Sequence, residues 1–217
     1  MNPTLLREGL IIYLILVTSL SIHEWAHAWT ADKLGDDTPR SQGRVTLNPI
    51  AHMDLLGTVI LPLTMVFLSS TGAGFFLLGW GKPVMVNSRN FRKPVRDDLL
   101  TTIAGPLSNI ALCLITALIG GILLRFIPEI APLIQKFIFI NALLAVFNLI
   151  PIPPLDGSHI LRHATKMSAK TYYNLARWGL LIMIVLINAP LFRTTLHYAI
   201  ISVATPFLIA ASFIASL

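Results

Sequence analysis

The chain has 217 residues, 55% of them hydrophobic and 12% charged, and its mean hydropathy of +0.75 exceeds what a soluble core requires, so a one-domain polytopic membrane protein is expected over residues 1–217. The net charge of +6 lies between apolar runs and forms no aromatic-interleaved basic face, which argues against nucleic acid as a partner. The single cysteine, Cys113, rules out a disulfide framework and a Cys-rich metal site and reads as a small packing residue.

Residues 1–8 form a short polar lead, and residues 9–31 read as a membrane helix whose stretch 10–20 carries no charge. The outline resembles a signal peptide. Cleavage would fall at His23-Glu24-Trp25-Ala26-His27, however, and no Ala-x-Ala spacing precedes that stretch, so the helix is read as retained. Positions i and i+4 share one helical face, so His23 and His27 can aim two imidazole nitrogens at one metal ion with Glu24 beside it. Ionisable residues in a membrane helix are expensive unless they face protein or water, which makes this stretch the first functional candidate.

Residues 32–53 are polar and contain Gly35, Pro39, Gly43 and Pro49; 44–48 reads as a short edge strand in an otherwise looped segment. The apolar stretch 55–80 is interrupted by Pro62 and by Ser69-Ser70-Thr71-Gly72-Ala73-Gly74. Residues 81–98 are basic, with 82–86 as a second short strand. Crossings follow at 99–124, 132–150, 175–189 and 195–215, near the roughly 20 residues needed to span a bilayer.

Prolines 151, 153 and 154 break the chain after the 132–150 helix and favour an extended segment leading to Asp156. Catalytic zinc usually keeps three protein ligands and an open position, so His23 and His27 require a partner, and Asp156 is the strongest candidate. The structural alternative for Asp156 is a helix N-cap before Gly157-Ser158-His159.

If Asp156 and His27 share a metal, an even number of crossings separates them, and 55–80 must return to its own side as a re-entrant pair of half-passes. Charge agrees. With the N-terminus outside, Lys33, Arg40, Arg44, Lys82, Arg89, Arg92, Lys93, Arg96, Arg162, Lys166, Lys170 and Arg177 are cytoplasmic, against Arg7, Arg125, Lys136 and Arg193 outside, as the positive-inside rule requires. The expected architecture is an all-α polytopic membrane protein with about five transmembrane helices, a re-entrant hairpin and short β segments near the site.

The sequence resembles the site-2 protease family of intramembrane zinc metalloproteases, through His23-Glu24-Trp25-Ala26-His27 in a membrane helix, Ala104-Gly105-Pro106-Leu107-Ser108-Asn109 opening another, and residues 148–157 ending a third. The match covers 9–166, the protease core, with 175–217 as accessory helices. The resemblance implies one Zn2+ per chain held by His23, His27 and Asp156, Glu24 as general base, and Asn148 as the asparagine that holds the substrate backbone or oxyanion. It also implies transmembrane proteins or peptides as substrates in a lipid bilayer, and a multi-pass protein of a prokaryotic plasma membrane with the active site toward the cytoplasm. A homo-oligomer is compatible with it. Leu155-Asp156-Gly157-Ser158 departs from the family pattern, where a second glycine is common, and 217 residues leave no room for a PDZ or CBS domain.

The remaining histidines give weaker signals. A backbone-bonded loop role is expected for His52, and a cytoplasmic helix face for His159 and His163, which lack an adjacent carboxylate in sequence. Asn109 is left as a polar contact between helices. Two other functions compete. A membrane metal-binding or transport protein would carry ligands at several depths, whereas these cluster at one level. A non-catalytic homologue would need no Glu24.

Overall fold

In the computed structural model, residues 2–71 and 79–217 are described. They fall into two compact units, Met1–Phe91 and Arg92–Leu217.

The first unit is built on α1, Pro3–Leu34. Asn2 caps it by accepting from the Thr4 and Leu5 amides, Pro3 occupies the first turn, and Gly35 ends it at φ 112°, a conformation glycine adopts without strain. The expected polar lead is therefore helical, because a cap and an N-terminal proline precede the apolar run. At about 1.5 Å rise per residue, α1 is roughly 48 Å long, enough to cross the hydrocarbon and carry its last turns beyond. Its buried face includes Ser19, His23, His27 and Ala31 at i+4 intervals.

After the short α2, Thr38–Ser41, and a 3-10 turn, Pro49–His52, the chain forms one π-helical stretch, Leu55–Ile60, capped by Asp54, and then α3, Leu61–Ser69. This excursion runs back along α1. An added Cβ on Gly9 would lie 2.8 Å from Val66 Cγ1, so only glycine permits that approach, and the Asn2 amide donates to the Ser70 carbonyl at 2.8 Å. The far end of the excursion returns to its origin: the Trp80 amide donates to Gly57 O at 3.1 Å, Thr58 Oγ1 donates to Trp80 O at 2.7 Å, and the Lys82 amide donates to His52 O at 2.8 Å. The turn expected at 69–74 lies partly outside the described residues.

The second unit holds α4, Pro94–Leu124; a 3-10 turn, Pro128–Ile130; α5, Ala131–Asn148; α6, Gly157–Ala164; α7, Ala169–Asn188; and α8, Pro190–Ser216. Helices α4, α5 and α8 share one apolar core around Cys113, Ala117, Ile138, Ala142 and Ala204. Cys113 packs there as expected, its thiol 3.4 Å from Ile138 O. Asn109, fully buried, donates to Asn141 Oδ1 at 3.0 Å, and Asn141 donates to Phe137 O. That bond joins α4 to α5 where a lone amide in an apolar bundle would be costly.

Among the described residues, four helices are long and apolar enough to cross a membrane: α1, α4, α8 and Pro128–Asn148, which includes α5. The stretch 175–189, expected as a crossing, forms the later part of α7, whose first half carries Lys170, Asn174 and Arg177; α7 is not among those four helices. No sheet occurs among the described residues. Residues 44–48 and 82–86 carry no strand; the β pairing present is a single antiparallel bridge between Met53 and Gly81. Pro49 and Pro83 each remove a backbone donor beside these stretches, which limits a longer ladder.

Candidate metal centre

The central pair follows directly from helix geometry. His23 and His27, 2% and 8% exposed, stand edge to face at 85° with ring centroids 4.7 Å apart, and their Nε2 atoms approach to 3.1 Å. Two nitrogens each about 2.0–2.1 Å from a tetrahedral zinc are roughly 3.3 Å apart, so the two rings already fit one ion. Both donors are borderline-soft imidazoles of the kind zinc takes.

Glu24 lies between the two histidines in sequence and turns toward the returning segment. Its Oε2 accepts the Val84 amide at 3.1 Å. Gly81 sits against it: a Cβ there would lie 3.5 Å from Glu24 Cγ and 3.6 Å from Oε1. A helix capped by Asn2 and ended by Gly35 thus presents three motif side chains in its C-terminal half, and the Met53–Gly81 bridge brings residues 80–84 alongside.

Two buried polar side chains border this segment that sequence reading left unassigned or under-assigned. Arg44, 4% exposed, donates from Nη2 to Lys82 O; burial lowers its pKa while the Glu24 carboxylate works to raise it. His52, 2% exposed, bonds through Nε2 to Thr46 O at 2.8 Å, the backbone-bonded role expected of it. Its pKa is lowered, chiefly by burial and further by Arg44. Arg44 read only as a loop cation, because nothing local in the sequence distinguishes a buried arginine from an exposed one.

Asp36 organises the loops around this edge. It is fully buried and accepts from Thr38 Oγ1 at 2.6 Å, Asn87 N at 2.7 Å and Asn90 Nδ2 at 2.8 Å. Burial works to raise its pKa, but the hydrogen bonds from Thr38, Asn87 and Asn90 prevail and lower it.

The other two candidates belong to the second unit. Asn148 is the last residue of α5, and its Nδ2 donates to Leu144 O at 2.9 Å, so its amide folds back onto its own helix. Asp156 occupies the N-cap position of α6 in helical conformation, φ −56° and ψ −41°, and its side chain does not cap that helix. The segment before it is not extended as the prolines suggested. It is a compact run of turns, with bonds from Ile152 N to Ile150 O, Leu155 N to Ile152 O and Ser158 N to Leu155 O. Gly157 allows this compaction: an added Cβ would strike the Leu149 carbonyl.

His159 and His163 do have a carboxylate partner. Asp98 Oδ2 of α4, 65 residues earlier than His163, lies 2.6 Å from His163 Nε2 and 3.5 Å from His159 Nδ1. The expected solvated face is an anchor of α6 to α4, invisible to any local reading.

Residues 126–187 match the pattern of peptidase family M50, a stretch that includes Asn148 and Asp156. Over 198 residues the chain is 38% identical to a Bacillus subtilis protein named "Putative zinc metalloprotease YwhC", covering 84% of this chain and 83% of that one. It is 30% identical over 176 residues to "Putative zinc metalloprotease Rip2" of Mycolicibacterium smegmatis, covering 79% of this chain and 64% of the other. A protein of the same name from Mycobacterium tuberculosis is 29% identical over 181 residues, 80% and 65% of the two chains. The chain therefore spans slightly under two thirds of the Rip2 proteins. No solved structure matches.

Proposed function

Because the chain belongs to peptidase family M50, the site-2 protease family, and is a zinc metalloprotease, we propose that it hydrolyses peptide bonds in or beside transmembrane segments of other membrane proteins. The observation that carries this reading is the buried, converging pair His23 and His27 on an apolar helix, with the Glu24 carboxylate one residue from His23.

His23, His27 and Asp156 hold the zinc in this reading. The two imidazoles fit by geometry; Asp156 fits by donor chemistry, an oxygen ligand that completes a three-residue set, and by its place after the proline-rich break. When bound, zinc supplies Lewis acidity and brings the pKa of its water to about 7.

Glu24 is the general base: it takes a proton from the attacking water and passes it to the leaving amine, a role worth roughly 10²–10⁴-fold in rate. The Val84 N–H fixes one of its oxygens, which leaves the other for the water. Asn148 supports the substrate backbone or oxyanion, for which its amide must turn away from Leu144 O. A scissile bond in a transmembrane helix has its carbonyl already hydrogen-bonded, so the substrate must unwind locally before attack.

The topology that suits this chemistry has the N-terminus outside, the site toward the cytoplasm of a prokaryotic plasma membrane, and 55–80 re-entrant. The hydrogen bonds that tie Gly57, Thr58 and His52 to residues 80–82 support the re-entrant path, since they bring both ends of the excursion to one level. The whole chain, 1–217, then works as one membrane-embedded protease domain with 9–166 as its core.

Incubating the purified protein with a panel of single-span peptides, with and without a chelator, tests the reading. Cleavage that disappears with chelator and returns with zinc is expected. No chelator-sensitive cleavage of any peptide would overturn it.

A further inference from the structure

A carboxylate buried on an apolar helix is costly unless partners compensate it. Asp98 of α4 is 5% exposed, and its Oδ2 lies 2.6 Å from His163 Nε2 and 3.5 Å from His159 Nδ1, both on α6. A carboxylate only accepts, so the His163 nitrogen at bonding distance carries a hydrogen. His159 and His163 are one helical turn apart and so present one face of α6 to one oxygen. None of the three has a task in the proposed chemistry.

The contact gains its meaning from where α6 begins. With eight residues, Gly157–Ala164, this helix is too short to hold its place unaided. Asp156 stands at its N-cap with helical φ and ψ, so its backbone is continuous with α6 and is oriented by whatever orients that helix. Asp98 belongs to α4, which shares the apolar core with α5 and α8; the bond therefore ties a two-turn helix to the packed part of the unit.

A second support comes from α7. Ser158 Oγ lies 3.0 Å from Tyr172 Oη, the His159 and Tyr172 rings meet edge to face at 5.6 Å, and the Arg162 guanidinium lies 5.3 Å from the centre of the Tyr172 ring. Helix α7 also abuts the turns before Asp156, since an added Cβ on Gly179 would strike the Pro153 carbonyl.

We propose that Asp98 is a positioning residue for zinc: through His163 and His159 it fixes α6, and with α6 the place and direction of Asp156. This rests on the reading of Asp156 as the third zinc ligand and adds to it the residues that hold that ligand. Removing the Asp98 carboxylate is therefore expected to weaken zinc binding although Asp98 is not itself a ligand.

The test measures zinc affinity of the purified full chain in detergent, by competition with a chromophoric chelator. Asp98→Ala is expected to weaken it about tenfold, the loss typical when a residue that orients a metal ligand is removed. In an Asp156→Ala background the same substitution is expected to change it by less than about twofold, because the ligand it orients is gone. His163→Leu should match Asp98→Ala in both backgrounds. His163→Gln, whose amide can still donate to Asp98, should stay nearer to wild type than to His163→Leu. Should Asp98→Ala fail to unfold cooperatively, the two His163 variants decide.

Unchanged affinity in both Asp98→Ala and His163→Leu, or an equal loss with and without Asp156, overturns the proposal and leaves the zinc site standing. If Asp156→Ala binds zinc as wild type does, Asp156 is not a ligand and the positioning role falls with it.

Discussion

The Nε2 atoms of His23 and His27 stand 3.1 Å apart inside a helix that is otherwise apolar over much of its length. Two imidazole nitrogens at that separation stand at the spacing that two ligands of one tetrahedral zinc would have. Zinc content should therefore be near one per chain in wild type and drop well below that in both His23→Ala and Asp156→Ala, measured by elemental analysis of purified protein. Asp156→Ala is the more telling variant, because it leaves the histidine pair intact; full zinc in both would remove the proposed site.

Glu24→Gln preserves side-chain shape and can still accept the Val84 amide through its Oε1 carbonyl. It should retain zinc and thermal stability while proteolysis drops at least about a hundredfold with KM little changed. Near-normal turnover would make Glu24 a bystander held by Val84.

Asp36 joins residues 36–38 to 87–90, and its depressed pKa predicts a pH signature. A carboxyl whose folded pKa lies below its unfolded value contributes stability that is present above the unfolded value and lost as pH falls through the folded one. Wild-type stability should accordingly decline as pH drops past the ordinary 3.8 toward the lower value of Asp36. Asp36→Asn should be about 2–3 kcal/mol less stable at pH 7, as expected for lost charge-assisted bonds, and should lack that part of the acid slope. Thermal unfolding in detergent across pH reads both; identical slopes in the two proteins would mean Asp36 is not the source.

Topology can be read by labelling. In a Cys113→Ser background, where the new hydroxyl can keep a bond to Ile138 O, single cysteines at the exposed Ser41 and Ser88 should react from the cytoplasmic side only, and one at Glu129 from outside only. Outside labelling at Ser88 with cytoplasmic labelling at Ser41 would make 55–80 a full crossing.

What could be read without coordinates was what one helix or one short run determines. The i, i+4 rule is local to a helix, so His23, Glu24 and His27 needed nothing but their spacing, and apolar run lengths located the long apolar helices α1, α4, α5 and α8 to within about six residues at each end. Asp156 stood out because prolines 151, 153 and 154 isolate it, although the same prolines suggested extended chain where the structure has turns closed by Gly157. Tertiary structure alone decided the contacts between residues far apart in sequence: Asp98 with His163, Glu24 with the Val84 amide, and Arg44 with Lys82 O. It also reduced the two expected strands to the single Met53–Gly81 bridge. The physical reason is that burial of a polar side chain, and the partner that compensates it, depend on which elements pack together, and neither hydropathy nor spacing along one element carries that information.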